Sequence, residues 1–445
     1  MQHNYLLGTD SDNDEVVDID LTKIANFNFS FVGMSGSGKT YTIKKMLENF
    51  WRSRITVFAP DTQGDLSYID GDYSSDIPQE AFVENKFHYN DEIGNCSINF
   101  LEVPKGRDSG GVLSAVRDAV YTIKLFHPSM GIQQSAALRS LLEETYQRAG
   151  IVDSDPGTWS LNAPDVSDLL ETIKDHKKAI ISGVQKTVFD EIHKMRKELV
   201  RDQVKLDNLY AKAAESQSQS SRDKAELSEK EFDANVEALV EKTGEMIRSE
   251  IRHGKTEQVT DIKLSVIENI EPIISDMVKS KLFCGRPPLR PEKGRINILN
   301  MKGLVEQEML ALYHIILGRT FSAAVQTCRQ LNPKTPSMMI VFDEAKIVQH
   351  VSRDSMSPFP RIITEGRKFG LGALIGCQIP AQISDEIRRN ISAFFQLPVV
   401  RESQDESRRK LKLPKGMIEG LIARKEALLS LNGGEYRKID MWRFT

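Results

Sequence analysis

The sequence predicts an α/β fold: a mostly parallel central sheet flanked by helices, with a helical insertion. Three observations predict it. A glycine-rich turn, Gly33-Met34-Ser35-Gly36-Ser37-Gly38-Lys39-Thr40, follows the apolar run Phe27 to Val32 and precedes a helical stretch from Tyr41 to Phe50. A second apolar run, Ser337 to Phe342, leads into Asp343-Glu344-Ala345. Strand-like and helix-like segments alternate on both sides of a long charged stretch, the pattern of a parallel sheet with helical crossovers.

In chain order, residues 1–15 are polar and acidic and read as a frayed start or loop. Val16 to Leu21 alternates weakly, as a short strand does. Ile55 to Ala59 is a buried-strand candidate ending in Pro60-Asp61-Thr62-Gln63-Gly64-Asp65. Residues 66–105 read as short and irregular, with a strand-like Cys96 to Leu101 and a turn at Pro104-Lys105-Gly106. Helices are expected over Ser109 to Leu125 and Gln133 to Ala149, and Asp165 with Asp168 offers a cap for another. Val188, Ile192, Met195, Leu199, Leu206 and Leu209 keep an alternating four-and-three spacing, a helical seam. Ser216 to Ser221 reads as a loop, and Phe232, Val236, Val240, Ile247 and Ile251 form a second stripe. The expected organisation is therefore a nucleotide-binding core in two parts, 1–170 and 265–445, separated by a charged helical insertion at 171–264. The insertion reads as a self-packed subdomain or as a contact surface. Downstream strands are expected at Ile296 to Asn300, Leu371 to Cys377, Phe394 to Val400 and Glu426 to Leu431, with a helix from Glu306 through Phe321 extending toward Gln330. Pro398 marks the Phe394 strand as an edge or an early stop.

The chain has 445 residues, 40% hydrophobic and 27% charged, enough for one large core or two to three domains. A net charge of -4, from 59 basic and 63 acidic residues, excludes a uniformly basic surface and leaves room for a local basic channel. Cys96, Cys284, Cys328 and Cys377 form neither a zinc pattern nor a disulfide framework, which points to a reducing compartment. No apolar run reaches membrane-spanning length and no secretory signal opens the chain, so a cytoplasmic protein without a membrane partner is expected.

The glycine-rich turn has the G-x-x-x-x-G-K-T spacing of a nucleotide phosphate-binding loop. Glycines let the backbone curl so that successive N–H groups point at phosphate oxygens, and the following helix adds its partial positive charge. Gly33, Ser35, Gly36, Ser37, Gly38, Lys39, Thr40 and Tyr41 are the expected nucleotide-binding residues. Lys39 is expected to reach the outer phosphates and Thr40 to hold Mg²⁺. Asp343, at the tip of its strand, is the second expected Mg²⁺ ligand, and Glu344 the base for an attacking water. Asp61 is expected to support catalysis after its own strand, the alternative being an Asx turn that shapes the loop. Gln378, just after the next strand, is expected to sense the γ-phosphate or the lytic water. Arg361, Arg367 and Lys368 form a basic cluster suited to serve a neighbour's nucleotide or to remain a surface ion-pair cluster. Arg388, Arg389, Arg401, Arg408 and Arg409 are further candidates, for that role or for a DNA channel.

With these residues placed, the chain resembles the HerA/FtsK-type DNA-pumping ATPases, a P-loop NTPase superfamily with a RecA/FtsK-like core, and is most similar to its HerA-like branch. The resemblance rests on Phe31 to Thr40, on Pro60-Asp61-Thr62-Gln63-Gly64-Asp65, on Asn300-Met301-Lys302-Gly303-Leu304 and on Val341-Phe342-Asp343-Glu344-Ala345. Its most specific part is Glu365-Gly366-Arg367-Lys368-Phe369-Gly370 followed by Gly376-Cys377-Gln378-Ile379-Pro380, where Cys377 replaces the family's small hydroxyl residue. It covers residues 16–170 and 265–435. It implies ATP and Mg²⁺ as cofactors, Arg367 as an arginine finger, Gln378 as the γ-phosphate sensor, and a ring, usually a hexamer, that threads duplex DNA. It also implies a nuclease or another effector, in some cases antiviral, as partner. Cellular members usually carry an N-terminal β-barrel domain, for which this sequence leaves no room, and that points toward a defence-system or mobile-element protein. A conjugation or DNA-packaging motor and a nucleotide-controlled scaffold are the competing expectations.

Overall fold

Among the described residues eleven strands form one sheet: β1 (Asn4–Asp10), β2 (Val16–Asp20), β3 (Asn28–Val32), β4 (Thr56–Asp61), β5 (Phe82–Lys86), β6 (Ile296–Asn300), β7 (Met338–Phe342), β8 (Leu371–Cys377), β9 (Ala393–Gln396), β10 (Glu426–Leu431) and β11 (Arg437–Met441). The computed structural model describes residues 4–69, 73–90, 92–104, 110–182, 194–195, 197, 199, 201–203, 205–211, 219–253, 262–328, 330–354, 356–414 and 416–441. The spatial order is β2-β1-β11-β10-β9-β3-β8-β7-β4-β6-β5. From β9 to β5 every neighbouring pair is parallel, and β10, β11, β1 and β2 add an antiparallel wing.

β3 and β8 are buried at every position, as strands covered on both faces are. Two cores result, one on each face. Helix Lys39–Arg52 packs on one face through Ile43, Met46, Leu47 and Phe50, among Phe29, Phe31, Leu374 and Phe395. Phe31 and Phe395 stack at 4.5 Å across the β3–β9 pair. The other face is covered by helices Gly111–Phe126, Ile132–Arg148, Val166–Ser182, Leu264–Ser280 and Glu306–Thr327, whose buried Leu, Ile and Val residues share one core with Ile340, Phe342, Ala373 and Ile375. Helix Gln219–His253, 35 residues long, carries the half-buried Phe232 and Val236 on one stripe, while Val240 is 65% exposed. Tyr210 donates to Glu229 at 2.6 Å, tying this helix to the segment before it.

β8 lies between β3 and β7, with Val32 opposite Cys377 and Phe342 opposite Ile375. Parallel strands end on the same edge, so the segments after β3, β4, β7 and β8 meet there, where open α/β sheets bind ligands.

Several expectations are corrected. Residues 4–10 are a strand rather than a frayed loop: Tyr5 and Leu7 are buried, Tyr5 donates to Ser53 Oγ at 3.0 Å, and the acidic character belongs to the turn into β2. Residues 82–86 form β5, whose short edge sequence carries two adjacent apolar residues, Phe82 and Val83, followed by three polar ones. Cys96 to Leu101 is buried but makes one isolated bridge, Ser97 to Pro288, instead of a strand. β9 stops at Gln396, before Pro398, yet it is internal, between β3 and β10. The boundary expected at 171 falls inside helix Val166–Ser182, whose Leu169 and Ile173 belong to the main core. Of the expected seam, Leu206 is buried, whereas Val188 and Ile192 lie outside the described residues, as do Lys105 and Gly106 of the expected turn. Residues 216–218 of the loop expected at 216–221 also lie outside them, and from Gln219 onward it is helical.

Gly372, inside β8, has no room for a side chain, because a Cβ there would run into the Phe27 backbone and Met339 Sδ. Gly372→Ala is expected to destabilise the protein by about 1–3 kcal/mol through overpacking. Gly318→Ala, inside helix Glu306–Thr327 where a Cβ meets only Pro358 at 3.7 Å, should stabilise it by about 0.5–1 kcal/mol. Urea unfolding of the two variants checks both signs.

Candidate nucleotide-binding site

The glycine-rich turn is held at the edge of the sheet by its neighbours. Gly33 N–H donates to Cys377 O at 3.0 Å, Met34 N–H to Pro398 O at 2.9 Å, and Leu397 N–H to Val32 O at 2.7 Å. Gly36 and Gly38 have φ of +76° and +104°, backbone that a side chain would strain. Helix Lys39–Arg52 starts immediately afterwards, so its first free N–H groups face the turn. Lys39 Nζ folds back over the turn and donates to the carbonyls of Gly33 and Met34 at 2.7 and 3.1 Å. Burial draws its ammonium below the usual lysine range, opposed by Asp343 and then by Cys377 and Glu344.

Thr40 Oγ1 donates to Asp343 Oδ2 at 3.1 Å, joining residues 303 positions apart. The other oxygen, Asp343 Oδ1, is sealed from solvent and has no hydrogen-bond partner among the described residues. Burial, reinforced by Asp65, pushes the Asp343 carboxyl up to about 7 against the pull of Lys39 and the bond from Thr40. A cation would satisfy the orphaned oxygen and remove the cost of the buried charge, so Thr40 and Asp343 fit the expected Mg²⁺. The space for this carboxylate depends on Gly376, where a Cβ would collide with Asp343 Oδ1.

Glu344 caps helix Ala345–Arg353, its Oε1 accepting from Lys346 N–H at 3.2 Å. Its Oε2 accepts from Gln63 Nε2 at 3.3 Å. Glu344, Gln63 and Gln378 line one cavity of about 650 Å³ together with Ser35, Lys39 and Asp343. Tyr41 lines it as well, and the buried Cys377, whose thiol burial pushes up to about 12, forms part of the wall beside Gln378.

Four predicted site residues do not line the cavity: Gly33 and Ser37, which belong to the loop itself, and Asp61 and Arg367, which lie elsewhere. Asp61 is 2% exposed, and its carboxylate is taken up by backbone N–H groups, of Gly64 at 2.7 Å and Gln63 at 3.2 Å on Oδ1 and of Leu66 at 3.0 Å on Oδ2. The hydrogen bonds describe the loop-shaping alternative: Asp61 holds the loop that presents Gln63. Arg367 lies before β8, at the opposite edge of the sheet from the phosphate loop. A seven-residue strand at about 3.3 Å per residue puts roughly 20 Å between them. Its guanidinium donates to the carbonyls of Ile24, at 2.7 Å, and Ala25, and lies 5.1 Å from the centroid of the Phe27 ring. Arg361 lies over the Phe321 ring at 4.6 Å and contacts Glu365 at 3.4 Å, while Lys368 is exposed.

Several cavity residues escaped the sequence, Gln63 and Arg424 among them. Gln63 stood inside a recognised segment, where nothing but geometry singles out its amide. Arg424 had no such segment. It comes from the turn before β10 and reaches Gly36 O through Nε at 3.3 Å, across 388 positions. No local pattern distinguishes it from the other basic residues near the C-terminal strands.

No protein-family model matches the chain. The DNA double-strand break repair helicase HerA of Sulfurisphaera tokodaii is 27% identical over 189 residues, which is 41% of this chain and 37% of that protein. Among solved structures, VirB4 of Thermoanaerobacter pseudethanolicus superposes with a TM-score of 0.63 at 14% identity, covering 99% of this chain and 97% of the other. The bacterial conjugative coupling protein TrwBdeltaN70 in its unbound form superposes with a TM-score of 0.51 at 12% identity, covering 94% and 85%. The chain shares the α/β fold of VirB4 and TrwB, a mostly parallel sheet flanked by helices.

The raised Asp343 carboxyl has a consequence for the nucleotide-free protein. Between about pH 4 and 7 the folded state keeps a proton that the unfolded chain has released, so this group's contribution to stability falls as pH rises through that window. Asp343→Asn should therefore be more stable than the wild type at pH 8, by about 2–4 kcal/mol, and the difference should vanish near pH 4. Thermal unfolding across pH without nucleotide or divalent cation measures it, and a wild type as stable as the variant at pH 8 would remove the assigned titration.

Proposed function

We propose that the chain is an ATP-hydrolysing motor that moves along or unwinds duplex DNA as a homo-oligomeric ring, working with a nuclease or antiviral effector as partner. The observation that carries the reading is the convergence of Lys39, Thr40, Asp343, Glu344 and Gln378 on one cavity, from three neighbouring parallel strands. Gly33 and Ser35 to Tyr41 would hold the nucleotide, and Thr40 with Asp343 would hold Mg²⁺, which when bound supplies charge neutralisation for the phosphates. Glu344 takes the proton from the water that attacks the γ-phosphorus, and the bond to the β,γ-bridging oxygen breaks to release ADP. Lys39 gives up its two backbone carbonyls to meet the phosphates. Gln378 contacts the γ-phosphate side, and Asp61 contributes through the loop it shapes.

The ring is supported by the place of Arg367. Its own phosphate loop is about 20 Å away, so an arginine-finger role requires a neighbouring subunit. The Ile24 and Ala25 carbonyls and the Phe27 ring would hold its fork in a fixed seat for that purpose. HerA, the sequence relative, is by name a DNA repair helicase, and this favours a DNA substrate. A second reading, a motor of a conjugation apparatus with a protein assembly as main partner, is favoured by the near-complete coverage of VirB4. Among the described residues no helix is long and apolar enough to cross a membrane.

Lys39→Ala should abolish ATP binding, and Glu344→Gln should bind ATP but hydrolyse it at least about 10²-fold more slowly. Turnover should rise with duplex DNA; turnover indifferent to DNA and responsive to a protein partner would favour the conjugation reading. Arg367→Ala should bind ATP without turning it over, and mixing it with Lys39→Ala subunits should restore part of the activity at interfaces that pair an intact Lys39 with an intact Arg367. Mixed rings with no recovery at any ratio would overturn the role between subunits.

A further inference from the structure

The cavity extends beyond the polar residues of the phosphate loop. Its remaining lining comes chiefly from Leu7 of β1, Phe395 of β9, Met441 of β11, and Thr42, Lys45, Met46 and Asn49 of the helix after the loop. These are contiguous: Gly8 pairs with Met441, Met441 N–H donates to Lys425 O at 2.7 Å, and Thr42 Oγ1 approaches Met441 Sδ at 3.9 Å while donating to Gly38 O at 2.9 Å. Arg424, next to Lys425, closes the junction between this apolar wing and the loop.

Arg424 is held there by its backbone. Its φ is +60°, a left-handed conformation uncommon for a residue with a side chain. Its N–H donates to Ser37 O at 3.0 Å, and its Nε donates to Gly36 O at 3.3 Å. The side chain thus rests against the loop's backbone carbonyls and lines the cavity. Its two terminal nitrogens have no partner among the described residues, and neither does the carboxamide of the half-buried Asn49.

We propose that this wing is the seat of the nucleobase, with the Arg424 guanidinium stacking on the base from the same subunit, Leu7, Met46 and Met441 forming its apolar floor, and the Asn49 amide reading the base edge. The seat rests on the nucleotide-binding reading above. A planar, weakly hydrated cation suits one face of a heteroaromatic ring, and thioether and aliphatic carbons suit the other. A single carboxamide offers one donor and one acceptor to a base edge, which makes it the specificity element.

The test separates base from phosphate by comparing ATP with inorganic tripolyphosphate in the full chain with Mg²⁺. Arg424→Ala should weaken ATP binding about tenfold and leave tripolyphosphate binding within about twofold, since stacking by a desolvated cation is worth on the order of one tenfold step. Asn49→Leu should narrow the ratio of ATP to GTP affinity while leaving tripolyphosphate unchanged. In wild-type protein with ¹³C-methyl methionine, the Met46 and Met441 signals should shift on adding ATP and stay in place with tripolyphosphate. Equal losses for both ligands in Arg424→Ala, or methionine signals that move equally with both, would overturn the base seat while leaving the phosphate-loop reading intact. A wild type that binds neither ligand would instead overturn the nucleotide-binding reading, and the seat with it.

Discussion

The hydrogen bond from Thr40 to Asp343 is the contact on which the site depends. It joins the first turn of the helix after β3 to the tip of β7, and β8 lies between the two strands. Bridging one strand at that distance needs a strand without bulk at the crossing point, and Gly376 supplies it, since a Cβ there would occupy the position of Asp343 Oδ1. The result is a carboxylate buried beside an ammonium, with one oxygen used and one left over. Such an arrangement is costly in the empty protein and becomes favourable when positive charge arrives, which makes the fold responsive to what it binds.

Around this contact the residues divide by function according to the edge they occupy. The edge where the parallel strands end collects the phosphate loop, the Asp343-Glu344 pair, Gln378 and Gln63. The opposite edge carries Arg367, whose guanidinium is fixed on backbone carbonyls and an aromatic face. A sheet strand is rigid along its length, so one subunit cannot bring its two edges together. The proposed chemistry that uses both therefore requires a second subunit.

The antiparallel wing enlarges the picture. β1, β2, β10 and β11 are placed beyond β9, and through Leu7, Arg424 and Met441 they reach the same cavity as the phosphate loop. The residues that would contact the phosphates centre on the loop at 33–41, whereas those that would contact the rest of the nucleotide come from both ends of the sequence. Substrate recognition is in this sense a property of the completed sheet.

The sequence by itself determined the strongly patterned parts. Gly33 to Thr40 after an apolar run, Asp343-Glu344 after another and Leu371 to Cys377 before Gln378 were legible because a doubly covered strand must be continuously apolar, and because φ values near those of Gly36 and Gly38 demand glycine. Short or amphipathic strands such as β1, β5 and β11 left no comparable signal, since their stability comes from partners far away in the chain. Only the tertiary structure decided that Asp61 spends its carboxylate on its own loop, that Arg367 faces away from its own nucleotide cavity, and that Gln63 and Arg424 belong to that cavity. Local sequence encodes backbone conformation and burial, whereas which polar side chains converge is set by the order in which the strands assemble.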